Sequence, residues 1–189
     1  MVKEAQWLVN TCNFDGIQWD YEICDNGDPQ LITLLRETRA ALPKTKLLSV
    51  ATPMWLPAPL GHWGWSDAYF AQVGATCDQM TVMCYDSALY LPRSYVWLMR
   101  QQVIHVTQAG VRNNPRCRIL LGVPTYRRGG LSHHYHAENL YLALKGVREG
   151  IINASTNKSG FAGVAPFADY TTTPADWKIY RQLWLGPND

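Results

Sequence analysis

Apolar and polar positions alternate along residues 14–22, FDGIQWDYE, with Ile17, Trp19 and Tyr21 on one side and Gln18, Asp20 and Glu22 on the other. A period of two marks a β-strand, whose side chains switch faces at every residue. Gln18, Asp20 and Glu22 therefore share one face, roughly 6.5–7 Å apart. Further strand-like runs are 46–52 (KLLSVAT), 79–85 (QMTVMCY), 118–124 (RILLGVP) and 161–167 (FAGVAPF). Between them apolar residues recur at helical spacing. That spacing predicts helices over 29–42, 66–75, 93–110, 136–149 and 174–184, and the end of one over 2–12. Asp28 is placed to cap the helix that Pro29 opens, Ser66-Asp67 opens the next, and Gly110 closes the one after it.

Strands that alternate with helices predict right-handed βαβ units and a parallel sheet, here expected to be covered on both faces. A TIM (β/α)8 barrel repeats this unit eight times over about 250 residues. The 189 residues hold about five units. The expected fold class is therefore α/β, a partial TIM barrel. No internal repeat, linker or low-complexity tract divides the chain, so residues 1–189 are expected to form one domain.

Composition narrows the function classes. A net charge of +2 and the lack of a basic stripe argue against a nucleic-acid binder. No run of about 18 apolar residues is present, so no membrane span is expected. Met1 is followed by the amphipathic VKEAQWLVNTC, which does not read as a signal peptide. Cys12, Cys24, Cys77, Cys84 and Cys117 are scattered without a C-x-x-C spacing, and are expected to be mostly buried free thiols. Two sequons, at Asn153 and Asn157, are weak evidence of secretion.

The carboxylates of the first strand carry the candidate chemistry. Two acids on the inside of a covered sheet are costly to bury unless paired or hydrogen-bonded. They are either a solvated polar face or a catalytic acid with a carboxylate helper.

Asp15-Gly16-Ile17-Gln18-Trp19-Asp20-Tyr21-Glu22 resembles D-G-x-D-x-D-x-E, the signature of glycoside hydrolase family 18, the chitinase family, with Gln18 in place of the middle acid. Later pieces follow in the family's order. Met83, Tyr85 and Asp86 resemble its M-x-Y-D pattern, and Gly122 to Arg127 its G-x-P-x-Y strand end. Phe167 stands where the family places a Trp beneath the sugar. The resemblance covers essentially the whole chain and matches strands four to eight of that barrel, so three strands are expected to lie outside it.

The resemblance implies a retaining, substrate-assisted glycosidase acting on β-linked N-acetylglucosamine glycans, the substrate's acetamido group being the nucleophile. Glu22 would protonate the glycosidic oxygen, from a low-dielectric site that keeps its proton on. Asp20 would orient the acetamido group, and Tyr85 would donate to its carbonyl oxygen. Asp15, Gln18, Met83, Asp86, Tyr126, Arg127 and Phe167 would surround the sugar, with Asp15 structural at the start of the strand and Gln18 hydrogen-bonding Asp20. No cofactor or metal is implied, and the partner is a carbohydrate. The family is typically extracellular. The alternatives are an inactive sugar-binding relative, which typically loses the final Glu that this chain keeps, and a fragment without activity of its own.

Trp55, Trp63 and Trp65 are either sugar platforms or a small core beneath their loop. His133, His134 and His136 read as a polar surface loop rather than a metal site. An incomplete barrel would leave both outer strands unpaired, so edge-to-edge self-association is expected.

Overall fold

The computed structural model describes residues 1–22, 24–57 and 64–186. Five parallel strands form one sheet in chain order: β1 (Gly16–Asp20), β2 (Leu47–Thr52), β3 (Gln79–Met83), β4 (Arg118–Pro124) and β5 (Phe161–Phe167). Helices α1 (Val2–Thr11), α2 (Pro29–Ala41), α3 (Asp67–Gly74), α4 (Pro92–Gly110), α5 (Leu140–Ile151) and α6 (Pro174–Tyr180) alternate with them. A π-helical turn, Arg181–Leu185, continues α6. The α/β class and the strand–helix alternation match the sequence reading.

Local chemistry explains the boundaries. Asp28 Oδ1 accepts from the Gln30 amide at 2.7 Å, and Pro29 opens α2 without sacrificing a donor. Ser66 caps α3 through the Tyr69 amide. The helix expected from residue 136 begins instead at Leu140, where Asn139 Oδ1 accepts from the Leu142 amide at 3.1 Å. The four residues before it form a turn closed on the His134 carbonyl. That displacement matters for the site.

Register fixes the two faces of the sheet. Ile17, Val50, Met80, Val82, Ile119, Leu121, Val123 and Val164 face the helices and join Leu31, Leu35, Phe70, Tyr95, Met99, Val103 and Leu144 in the core. The other face carries Gln18, Asp20, Ser49, Gln79, Thr81 and Met83. The sequence predicted cover on both faces. Among the described residues the helices lie on one face only, because a sheet that grows in one direction through right-handed crossovers places every helix on the same side.

At the N-terminal end of the strands, Arg39 bonds Asp78 Oδ2 at 2.8 Å and the carbonyls of Pro43 and Lys46. The same Asp78 oxygen accepts from the Leu48 amide. All five cysteines are free; Cys77, Cys84 and Cys117 are buried, whereas Cys12 is exposed. Among the described residues no helix is long and apolar enough to cross a membrane.

Candidate active site

The chemistry-bearing residues gather at the C-terminal ends of the strands, the end at which parallel α/β sheets place their sites. β1 stops at Asp20, and Tyr21 and Glu22 extend just beyond it. Asp20 and Glu22 are both exposed, so the dry surroundings expected for Glu22 are not provided by the described residues. The reason is topological: among the described residues β1 is paired with β2 alone. Asp15 precedes β1 at the opposite end, about 17 Å along the strand from Asp20, and does not share the rim with the other residues.

Gln18 does not reach toward Asp20. Its Oε1 accepts from Ser49 Oγ at 2.9 Å and from Thr81 Oγ1 at 3.2 Å, and Gln79 Nε2 donates to Ser49 Oγ at 3.2 Å. The expected Gln18–Asp20 hydrogen bond is replaced by this cross-strand chain. Ser49 stands on the neighbouring strand, about 4.8 Å away, and Thr81 one strand further on, and their two hydroxyls fill the Gln18 carbonyl oxygen. Ser49, Gln79 and Thr81 escaped the sequence reading, although their alternation on β2 and β3 placed them on this face.

Tyr85 lies just past β3. Its ring stacks on Phe167 at 4.7 Å and 8°, and meets Tyr126 edge-on at 6.2 Å. Burial pushes the Tyr85 phenol well above the ordinary tyrosine value, and the negative charges of Asp20, Asp86 and Glu22 push the same way. Burial thus keeps the Tyr85 hydroxyl proton in place well into the alkaline range. Tyr126 donates to Asp86 Oδ1 at 2.9 Å, and its phenol is likewise raised, by burial and then by that hydrogen bond. Met83 is half-buried on the same sheet face and pairs in register with Gly122. Arg127 does not join the group; its guanidinium lies 5.1 Å from the Tyr135 ring centroid.

The histidines are not one surface loop. His133 is buried, and its Nδ1 donates to Glu138 Oε1 at 2.9 Å. Glu138 is fully buried, and its Oε1 also accepts from the Asp86 amide at 2.5 Å. Oε2 accepts from the amide and hydroxyl of Ser87 at 2.9 and 2.5 Å. Asp86, His133 and Glu138 lie close enough together to hold a metal ion. All four lone-pair positions of Glu138 are filled by donors, however, so a cation there would meet protons. Nothing in the sequence marked Glu138, because it sits in a turn that helical periodicity had absorbed into α5.

Trp55 and Trp65 form a small core rather than platforms. Trp55 is 7% and Trp65 1% exposed. The Gln102 amide brackets the Trp55 backbone, at 2.8 Å to its N–H and 2.7 Å to its carbonyl, and the Trp55 ring stacks on His105. Trp63 lies outside the described residues. A cavity of about 920 Å³ opens beyond Asp86, with Met54, Leu56, Leu89 and Trp97 in its wall. Asp20, Glu22 and Tyr85 do not line it.

No protein-family model and no curated protein matches the sequence. Solved structures do match in fold. The spore cortex-lytic enzyme SleL of Bacillus cereus is similar at a TM-score of 0.62 and 12% identity, over 94% of this chain and 51% of that one. A chitinase from Chromobacterium violaceum is similar at 0.62 and 17%, over 96% and 69%. SleL of Bacillus megaterium is similar at 0.62 and 12%, over 96% and 52%. The chain thus spans about half the length of the cortex-lytic enzymes, and it shares the strand–helix barrel architecture of these proteins. The resemblance read from the sequence is matched at the level of the fold.

Proposed function

We propose that this protein is a glycosidase that cleaves β-linked N-acetylglucosamine-containing glycans, chitin-like in substrate, by substrate-assisted hydrolysis with retention. The observation that carries this reading is a placement: Asp20 and Glu22 at the C-terminal end of β1 and Tyr85, stacked on Phe167 just past β3, stand at the same end of one sheet. Substrate assistance needs three groups. A carboxyl must protonate the leaving oxygen, a carboxylate must hold the acetamido N–H, and a donor must steady its carbonyl oxygen as charge develops. Glu22, Asp20 and Tyr85 supply these types in one neighbourhood. Phe167, stacked on Tyr85, offers an apolar face beneath a sugar ring. Tyr126 and Asp86 offer a hydroxyl and a carboxylate to sugar hydroxyls. The shared fold with a chitinase and with cortex-lytic enzymes supports the substrate class.

One observation favours a second reading, a sugar-binding protein without turnover. A general acid works from a dry site, and Glu22 is exposed. Hydrolysis of an N-acetylglucosamine oligomer followed by proton NMR separates the two. The proposal expects β-anomers first, mutarotating later, and no cleavage of the deacetylated oligomer. Binding without any cleavage would support the second reading, and α-anomers first would exclude substrate assistance.

A further inference from the structure

The loop that leaves β3 is bent in an unfavourable way. Asp86 and Ala88 both have left-handed backbones, with φ of 55° and 57°. L-residues other than glycine adopt that region at a cost, and hold it only when their surroundings fix it. Four hydrogen bonds around the loop do the fixing. Glu138 takes both the Asp86 and Ser87 amides and the Ser87 hydroxyl, and the Ala88 amide donates to the Ser132 carbonyl at 2.7 Å. A buried carboxylate needs every lone pair filled, and the fourth donor is His133 Nδ1.

The His133 ring also lies against Tyr126, centroids 4.3 Å apart at a 34° tilt. Its Nε2 is buried without a partner among the described residues. An apolar ring of the same shape would avoid that unpaired nitrogen, so the imidazole is held there for its Nδ1–H. Tyr126 in turn donates to Asp86, whose carboxylate lies 3.8 Å from His133 Nδ1. The four residues therefore close a ring: His133 to Glu138, Glu138 to the Asp86 backbone, Asp86 side chain to Tyr126, and Tyr126 ring back to His133.

We infer that His133 and Glu138 are positioning residues for the sugar cleft, holding Asp86 and Tyr126 in the geometry that receives the substrate. Neither touches the cleft itself. Both act through the left-handed loop and the Tyr126 ring. The substrate part of this inference rests on the functional reading above, whereas the positioning part stands on the geometry alone.

The test compares His133→Leu, His133→Asn and Glu138→Gln in the full chain. The Asn amide can still donate to Glu138 from near the Nδ1 position, and Leu cannot. The first readout is NMR: the Asp86 and Ser87 amide protons, which donate to a carboxylate, and the Tyr126 ring resonances. The second is calorimetric binding of an N-acetylglucosamine tetramer in a Glu22→Gln background. His133→Leu and Glu138→Gln are expected to move the amide protons upfield, to shift Tyr126, and to weaken binding by ~10-fold or more, the scale of one lost hydrogen bond to a charged group. His133→Asn is expected to restore both. Resonances unmoved in His133→Leu, or moved with unchanged tetramer binding, would overturn the positioning role. A parent chain that binds no tetramer would overturn the functional reading, and Tyr126 would still decide the positioning. If His133→Leu does not fold, Ser87→Ala, which removes one donor, takes its place with a smaller expected shift.

Discussion

Gly122 of β4 lies directly beneath the ring of Tyr85: a Cβ built on Gly122 would stand 3.0 Å from Tyr85 Cε1 and 3.0 Å from the Val82 carbonyl. The flexible neighbour is the tyrosine and the rigid one is the strand. Gly122→Ala should therefore lift the Tyr85 ring off Phe167. Overpacking of this kind costs about 1–3 kcal/mol. The turnover number should fall more than the melting temperature accounts for. Equal activity of Gly122→Ala and parent at a temperature where both are folded would show that the seat of Tyr85 does not matter.

Glu22→Gln removes the proton donor and almost no volume. Loss of a general acid typically lowers the rate by 10²–10⁴-fold, so turnover of an N-acetylglucosamine oligomer should fall by about that factor. Binding of the oligomer, measured by calorimetry, should be nearly unchanged. Undiminished hydrolysis would remove Glu22 from its role.

Tyr85, Tyr126 and Tyr69 are all raised above the ordinary tyrosine value, in each case chiefly by burial. A raised folded-state value means that the unfolded chain loses these protons first as pH rises. The stability they contribute is whole below about pH 10, where unfolded tyrosine begins to ionise, and is lost as pH climbs toward the folded values. Chemical denaturation at stepped pH should show stability falling above that point. The fall should be shallower in Tyr126→Phe, and an identical slope in the variant would refute the assignment.

How much of this was legible in the chain differs from residue to residue. The strand carrying Asp20 and Glu22 was readable because one face of it is polar and the other aromatic, and period-two alternation is a strong local signal. The Asp28–Pro29 start of α2 was readable because the cap is made within three residues. Gln18 was misjudged because its partners, Ser49 and Thr81, are 31 and 63 residues away, and register between parallel strands is set by the whole core. Glu138 was hidden because the helical pattern was read from residue 136, which made it one more polar helix residue rather than part of the turn that precedes Leu140. Its burial is decided by amides of a loop 51 and 52 residues earlier.

Among the described residues each outer strand of the sheet has a single partner, β2 for β1 and β4 for β5. Unpaired strand edges recruit other chains. We expect the 189-residue chain to self-associate at micromolar concentration and above. Light scattering coupled to size exclusion should show a mass above 21.4 kDa. A monomer peak across that range would count against edge pairing.

The one-sided pairing of β1 also bears on how firmly the proposed acid is presented. A strand flanked on both sides, such as β3, opens only with its neighbours, whereas a strand bonded along one side can detach as a smaller cooperative unit. Amide exchange of residues 16–20 should accordingly be faster than that of residues 79–83. Glu22 continues from β1, so its position inherits those local openings. Whatever pairs along the outer side of β1 would damp them, and by thermodynamic linkage a ligand that needs Glu22 held still would in turn strengthen that pairing. Occupancy of an edge and readiness of the acid are, in this fold, two readings of one equilibrium.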